Sequence, residues 1–405
     1  MGDQNTGQVR RRRVFYIPGY DPMPPRRYRE LYRTEGEKQA KISDFTFDLT
    51  RREGARFGWS VEAEIEGQTT HTEFEILEWA DIVQDSMRAG VFGTYAILLR
   101  TAWIYISTGT LFDLMKLRRG PVIAALYPVA ILTIQLLLAL ALFGVVYAIG
   151  AGIGGAARGL AAVLGLGAAY ALLVWFKRID GKFFAYYLMH DYGFSARWRG
   201  ANPPALRERM DAFRHDIAEA LSQPFDEVLV VGHSSGAHLG IEILADLIRR
   251  EEVGEGAAQL SFLTLGQVVP MVSFLPQAYE IRRDLRYLSQ TENLFWVDVT
   301  APGDPCSFAL CDPVQTTGVA GKNQRHPLIL SAAFSQTLSS ESLAAMKHRF
   351  FRLHFQYLCA FDHPQSYDYF RVTAGPQTLA SRFEGEVASP SRITRPVNRH
   401  RTMAQ

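Results

Sequence analysis

From Val122 to Ile149 the chain carries no charged side chain, and Leu, Ala, Ile and Val dominate it. That run exceeds the roughly 20 residues a helix needs to cross a bilayer. Gly150 to Gly159 reads as a tight small-residue turn, and Leu160 to Phe176 is a second uncharged run near the lower limit for a span. Together they predict a transmembrane helical hairpin, because a surface helix pair of a globular domain would show a polar face. Lys116, Arg118 and Arg119 precede it, Lys177, Arg178 and Lys182 follow it, and the tip carries only Arg158. By the positive-inside rule both ends face the cytoplasm, which in a prokaryote means the inner membrane. The segments before and after the hairpin must then build any globular part together, on one side of the membrane. Val91 to Ile106, apolar but interrupted by Arg100, reads as an interfacial or buried helix. Phe183 to Tyr187 with Trp198 reads as an aromatic belt at the interface.

After the hairpin, Pro203-Pro204 opens a helix to Leu221, with Leu206, Met210, Phe213, Ile217 and Leu221 at helical spacing. It leads to Val228-Leu229-Val230-Val231, a continuous apolar run that reads as a fully buried strand. Gly232-His233-Ser234-Ser235-Gly236 follows at once, then an amphipathic helix from Ala237 to Arg250 with Leu239, Ile243, Leu244 and Leu247 on one face. A strand, Gly-x-Ser-x-Gly and a helix in that order read as a nucleophile elbow. Ser234 must sit on a sharp turn, and side chains at 232 or 236 would collide with the neighbouring strand and helix. The helix N-terminus favours negative charge at the site.

In these residues the chain resembles the α/β-hydrolase superfamily of serine hydrolases. The resemblance covers roughly Val14–Lys41, Glu73–Leu77 and Pro203–Gly375, and the hairpin lies outside the usual pattern. It implies an α/β fold, a mostly parallel sheet flanked by helices, with the two-helix hairpin inserted. It also implies a catalytic order of serine, acid, histidine on loops after successive strands. Ser234 follows its strand, Asp304 follows the Leu294–Val299 strand, and His363 follows Arg349–Leu358, whose alternation of Phe351, Leu353, Phe355 and Tyr357 reads as a last strand. Asp298 and Asp312 are rivals for the acid. His326 is the alternative base; His348 stands before the last strand and His354 within it, opposite in phase to its apolar face. His233 and His238 precede the acid and read as pocket neighbours. The oxyanion hole implied by the resemblance uses the backbone N–H of Ser235 and of Gly19 or Tyr20, in the loop after the strand Val14–Ile17.

Earlier in the chain, Arg26 to about Lys41 reads as a helix, and Phe57–Glu66 with Thr70–Leu77 as a hairpin around Gly67-Gln68. The expected organisation is a basic disordered tail over 1–13, a first hydrolase part over 14–90 and the membrane insertion over 91–182. A second hydrolase part carrying the catalytic residues follows over 183–381, then a disordered tail over 382–405. A net charge of +2 gives no reason to expect nucleic acid. Three cysteines make no disulfide framework and no Cys/His set has zinc spacing, so neither metal nor cofactor is expected. The expected activity is cleavage of an ester or thioester, lipid-like where the bilayer supplies it, through an acyl-enzyme on Ser234. An acyltransferase, or a non-catalytic membrane scaffold of the same fold, are the alternatives. The expected partners are that substrate and the bilayer, with no obligate protein partner.

Overall fold

A computed structural model describes residues 7–52, 56–254, 256–347 and 349–404. Its strands are β1 (Arg11–Ile17), β2 (Thr46–Arg52), β3 (Gly58–Ile65), β4 (Gln68–Ile76), β5 (Glu227–His233), β6 (Gln259–Leu265), β7 (Phe295–Thr300) and β8 (Leu328–Ser331). They form one sheet in the order β2-β3-β4-β1-β5-β6-β7-β8. β3 runs antiparallel to both its neighbours, and β4, β1 and β5 to β8 run parallel. The Val228–Val231 run is buried on both faces, as its lack of alternation requires. Glu66 and Gly67, both at positive φ, turn the chain from β3 into β4.

Helices cover both faces. On one, α8 (Pro204–Leu221) and α9 (Gly236–Arg249) pack Phe213, Ile217, Leu239 and Ile243 into a shared core. On the other, α1 (Arg26–Ser43) brings Tyr28 and Tyr32 against Trp59, Phe74 and residues after 356. Between β4 and α8 lies the inserted segment. It comprises α2 (Ala80–Ser86), α3 (Val91–Ser107), α4 (Thr110–Leu117), α5 (Arg119–Ile153), α6 (Ala156–Arg178) and α7 (Ala185–Arg197). The hairpin helices α5 and α6 are longer than the uncharged runs alone and have mean hydropathies of 2.7 and 2.0 over their most apolar windows. Only 17% of each window is buried, so both are long and apolar enough to cross a membrane and leave most of that surface open. α2 and α3 meet at a bend of 99° and are together apolar enough for a broken span. In α3, Val91, Leu98 and Tyr105 face the protein while Phe92, Leu99, Trp103 and Ile106 face outward.

Three expectations are corrected. Arg10–Arg13 are not a solvated tail: Arg11–Arg13 belong to β1, and Arg12 is fully buried. Its Nε lies 2.6 Å from Glu227 Oε2 and its Nη1 donates to Gly375 O at 2.8 Å. The first six residues of the expected tail lie outside the described residues. Arg349–Leu358 is not a strand. Phe350–His354 is one helical turn and Gln356–Leu358 a 3-10 turn, and the place beside β7 is taken by β8. The chain after 382 is irregular in backbone but packed: Asn398 is buried, with Nδ2 donating to Ser273 O, and Arg399 pairs with Asp113 at 2.8 Å.

Candidate active site

The turn from β5 into α9 is made by Ser234, whose φ of +55° lies in the left-handed region. A non-glycine residue pays strain there and persists only where the surroundings fix it. The fixing contacts are close. A Cβ on Gly236 would sit 2.1 Å from Ile17 O, and one on Gly232 would sit 2.7 Å from Gly236 O. Both elbow glycines are therefore required by space. The Ser234 amide donates to Leu265 O at 2.9 Å, which ties the turn to the end of β6.

Ser234 opens into a cavity of about 390 Å³. Its floor comes from the sheet's C-terminal edge: Gly19 to Met23 after β1, Ser234 and Ser235 after β5, and Cys306 after β7. Its roof comes from the inserted segment: Tyr105 of α3, Pro121 of α5, and Tyr187, Asp191 and Tyr192 of α7. A Cβ on Gly19 would lie 3.0 Å from Ser234 Cβ and 3.4 Å from Oγ, so the β1 loop passes directly beside the serine. Pro18 O accepts a hydrogen bond from Trp79 Nε1 at 2.9 Å. The trans, planar peptide then turns the Gly19 N–H away from Trp79. Among the described residues the amides of Gly19, Tyr20 and Ser235 donate to no protein group.

Asp304 lies in the loop after β7, fully enclosed. His354 Nδ1 donates to its Oδ2 at 2.8 Å, Tyr357 Oη donates to the same oxygen at 3.0 Å, and the Cys306 amide donates to Oδ1 at 2.9 Å. Burial pushes the carboxyl up, but the charge on His354 and these hydrogen bonds outweigh it and hold Asp304 below the ordinary carboxylate range. His354 also lines the cavity, at the end of the turn Phe350–His354. Its backbone carbonyl accepts from His233 Nε2 at 3.0 Å. Burial, then the charge on His354, lowers His233 to about 3, so His233 is a neutral donor holding the histidine loop. Gly266, at φ +54°, makes the approach possible: a Cβ there would lie 2.7 Å from the Tyr357 ring and 3.1 Å from His354 Cε1.

His363 is not part of this arrangement. It is exposed, its amide donates to Thr337 O at 2.9 Å, and it does not line the cavity. The reason is the missing strand: with β8 beside β7, the chain passes the site at 354 and has left it by 363. His326 stands at the N-terminal end of β8, facing the Phe295 ring and away from the serine's end of the sheet. His348 lies outside the described residues. Asp298 is buried inside β7, accepting from Thr264 Oγ1 at 2.6 Å, and burial pushes it up to about 8. Asp312 caps a short helix through the amides of Val314 and Gln315. His238 is enclosed in α9. His233 lines the cavity, as expected of a neighbour of Ser234; Tyr357 and Gly266 carry no sequence signal of their own, and only the neighbourhood of 354 would have pointed to them.

Asp304, Cys306 and His354 offer ligand atoms within 4.8 Å of one another. As a metal set they fit poorly. The Asp304 oxygens already accept three hydrogen bonds, and burial with the charges on Asp304 and Asp191 pushes the Cys306 thiol far above its ordinary value, away from thiolate. No family model matches this chain, and neither a curated protein nor a solved structure matches it significantly.

Proposed function

We propose that the protein is a membrane-anchored serine hydrolase of α/β-hydrolase type that cleaves an ester or thioester through an acyl-enzyme. The observation that carries this reading is His354, bonded to Asp304, sharing a cavity with Ser234 at a strained strand-to-helix turn. A serine hydroxyl needs a base to become a nucleophile. His354 Nδ1 is engaged by Asp304, which leaves Nε2 as the atom to take the Ser234 proton and return it to the leaving group. The Asp304 carboxylate orients the ring and stabilises the imidazolium, and it stays ionised because three donors face it. The free amides of Ser235 and of Gly19 or Tyr20 supply the donors for the oxyanion.

The membrane half of the reading rests on α5 and α6 and on the outward apolar faces of α3 and α4, where Phe112 and Met115 continue the ridge of Phe92, Leu99, Trp103 and Ile106. With basic flanks at both ends of the hairpin, the catalytic part and both termini face the cytoplasm. A roof made from the inserted segment favours a lipid-like substrate that enters from the bilayer side. The test is labelling of the full-length protein in membranes with a fluorophosphonate. Labelling at Ser234 that is absent in Ser234→Ala is the expected result; labelling of Ser235, or none at all with reactive controls, overturns it.

A further inference from the structure

The cavity holds one acidic group that makes no hydrogen bond and no ion pair among the described residues. Three charged side chains besides the catalytic pair line it: Asp21, Arg27 and Asp191. Asp21 accepts from Tyr28 Oη at 2.7 Å and from the Met23 amide at 2.9 Å, and faces Arg27 Nη1 at 3.5 Å. Arg27 is further committed to the face of Phe355, 4.9 Å from the ring centre. Asp191, on the cavity face of α7 between Tyr187 and Ser195, has no hydrogen bond and no ion pair among the described residues. The buried carboxyls elsewhere differ. Glu242 accepts from Asn202, Asp284 pairs with Arg249, Asp298 accepts from Thr264, and Asp312 and Asp368 cap helices. Burial pushes Asp191 up to about 7, against a smaller opposing effect of His354.

A carboxyl without a protein partner, facing an open cavity, is free to pair with a ligand there. The surroundings indicate which. Tyr20, Tyr105, Tyr187 and Tyr192 line the same cavity as the carboxyl. Aromatic faces attract cations, and a carboxylate completes the complement for an ammonium group. A neutral hydroxyl would leave the charge uncompensated, and an anionic headgroup would repel it.

We propose that Asp191 is the recognition group for a cationic part of the substrate, so that the cavity selects an ester or thioester bearing an ammonium group. This rests on the serine hydrolase reading for its chemistry but not for its binding. The ammonium group lies against Asp191 and the tyrosines, and the acyl carbon lies at Ser234.

The experiment compares butyrylthiocholine with its uncharged isostere, in which carbon replaces the ammonium nitrogen, using full-length protein in detergent at about pH 8, where Asp191 is ionised. The wild type should favour the cationic thioester in kcat/KM by roughly tenfold or more. Asp191→Asn should bring the ratio close to one, and Asp191→Glu should restore part of it. Melting curves check that the variants fold. The second measurement is calorimetric binding of both compounds to Ser234→Ala, with and without Asp191→Asn. A cation preference there that vanishes with Asp191→Asn upholds the site even where the wild type turns nothing over, a result that would sink only the hydrolase reading. Equal binding of the two compounds to Ser234→Ala, or a preference that survives Asp191→Asn, overturns the proposal.

Discussion

At the scale of single residues the decisive comparison is between two histidines nine positions apart. His354 shares the cavity with Ser234 and bonds Asp304, whereas His363 is exposed. His354→Ala should lower the acylation rate of a chromogenic ester, followed in a single turnover, on the order of 10²–10⁴-fold or more. His363→Ala and His326→Ala should each leave it within about twofold, since His363 is exposed and His326 stands at the end of β8 away from Ser234. A large loss in His363→Ala with full activity in His354→Ala would refute the assignment. Ser234 and Asp304 were legible because each follows an apolar run that forms a strand, and a strand end fixes where its loop points. His354 was not, because Phe351, Leu353, Phe355 and Tyr357 alternate as a strand would while the chain makes two short helical turns. Runs of three to five residues are too short for either periodicity to identify. Two further histidines contribute to the pH response of the fold, while the raised values of Asp298 and Asp191 work in the opposite direction. Burial, with the charge on His354 adding to it for His233, lowers His233 to about 3, and burial lowers His238 to about 4. Both folded values lie below the unfolded value near 6.5, so on acidification the unfolded chain binds protons that the folded chain refuses. The share of the stability that rests on these two histidines should therefore fall below about pH 6.5, by up to about 1.4 kcal/mol per pH unit for each, until the folded values are reached. Asp304 adds to the loss only at lower pH, because its depressed folded value keeps its contribution complete down to the ordinary carboxylate range. Denaturation midpoints measured between about pH 7 and pH 5 check this. His238→Gln should flatten the slope, and a slope it leaves untouched would contradict the mechanism.

At the scale of elements, β1 is the strand whose position decides whether a loop passes beside Ser234. It lies between β4 and β5, and the loop after it brings Gly19 beside Ser234. Four consecutive arginines before Val14 read as a tail, since charge and burial seldom coincide. The sequence alone could not reveal the partner that makes burial possible, because it stands more than two hundred positions later. Glu227 meets Arg12 at 2.6 Å, and its second oxygen accepts from Ser261 Oγ at 2.6 Å and from the Leu379 amide at 2.7 Å. The pair thus joins β1, β5, β6 and the C-terminal region in one buried network. Removing one member leaves an uncompensated charge, which costs about 3–5 kcal/mol. Glu227→Ala should lower the melting temperature of the membrane-free domain or detergent-solubilised protein accordingly. The double change Arg12→Met with Glu227→Leu should recover only part of the loss, because it removes both charges but leaves the Gly375 carbonyl and the Leu379 amide without their partners. A single variant as stable as the wild type would mean that the two charges are reached by solvent.

For the whole molecule the question is how two helices long and apolar enough to cross a membrane share one chain with an eight-stranded sheet. The hairpin and the sheet were both legible in the sequence, because each rests on long uninterrupted patterns: uncharged runs for one, a buried strand and amphipathic helices for the other. The packing between them was not legible, because it is made by contacts between distant segments. Pro121 at the base of α5 and Tyr105 of α3 wall the cavity, and Tyr95 Oη donates to Leu132 O across to the hairpin. The insertion is therefore joined to the site rather than merely tethered to it. Two consequences can be separated experimentally. If α5 and α6 span the bilayer, alkaline carbonate should leave the full-length protein in the membrane pellet, because extraction removes peripheral proteins and not spans. Replacing only the part of the hairpin beyond the cavity, from about residue 126 to 174, by a short flexible linker should release most of the protein to the soluble fraction while keeping Pro121, α7 and the elbow. The outward apolar ridge of Phe92, Leu99, Trp103 and Ile106 remains in that variant, so it should still bind vesicles reversibly, and Trp103→Glu should weaken that binding. Full-length protein recovered in the carbonate supernatant would defeat the spanning assignment. A hairpin-less variant that ignores vesicles would show that the ridge is covered by protein and not by lipid.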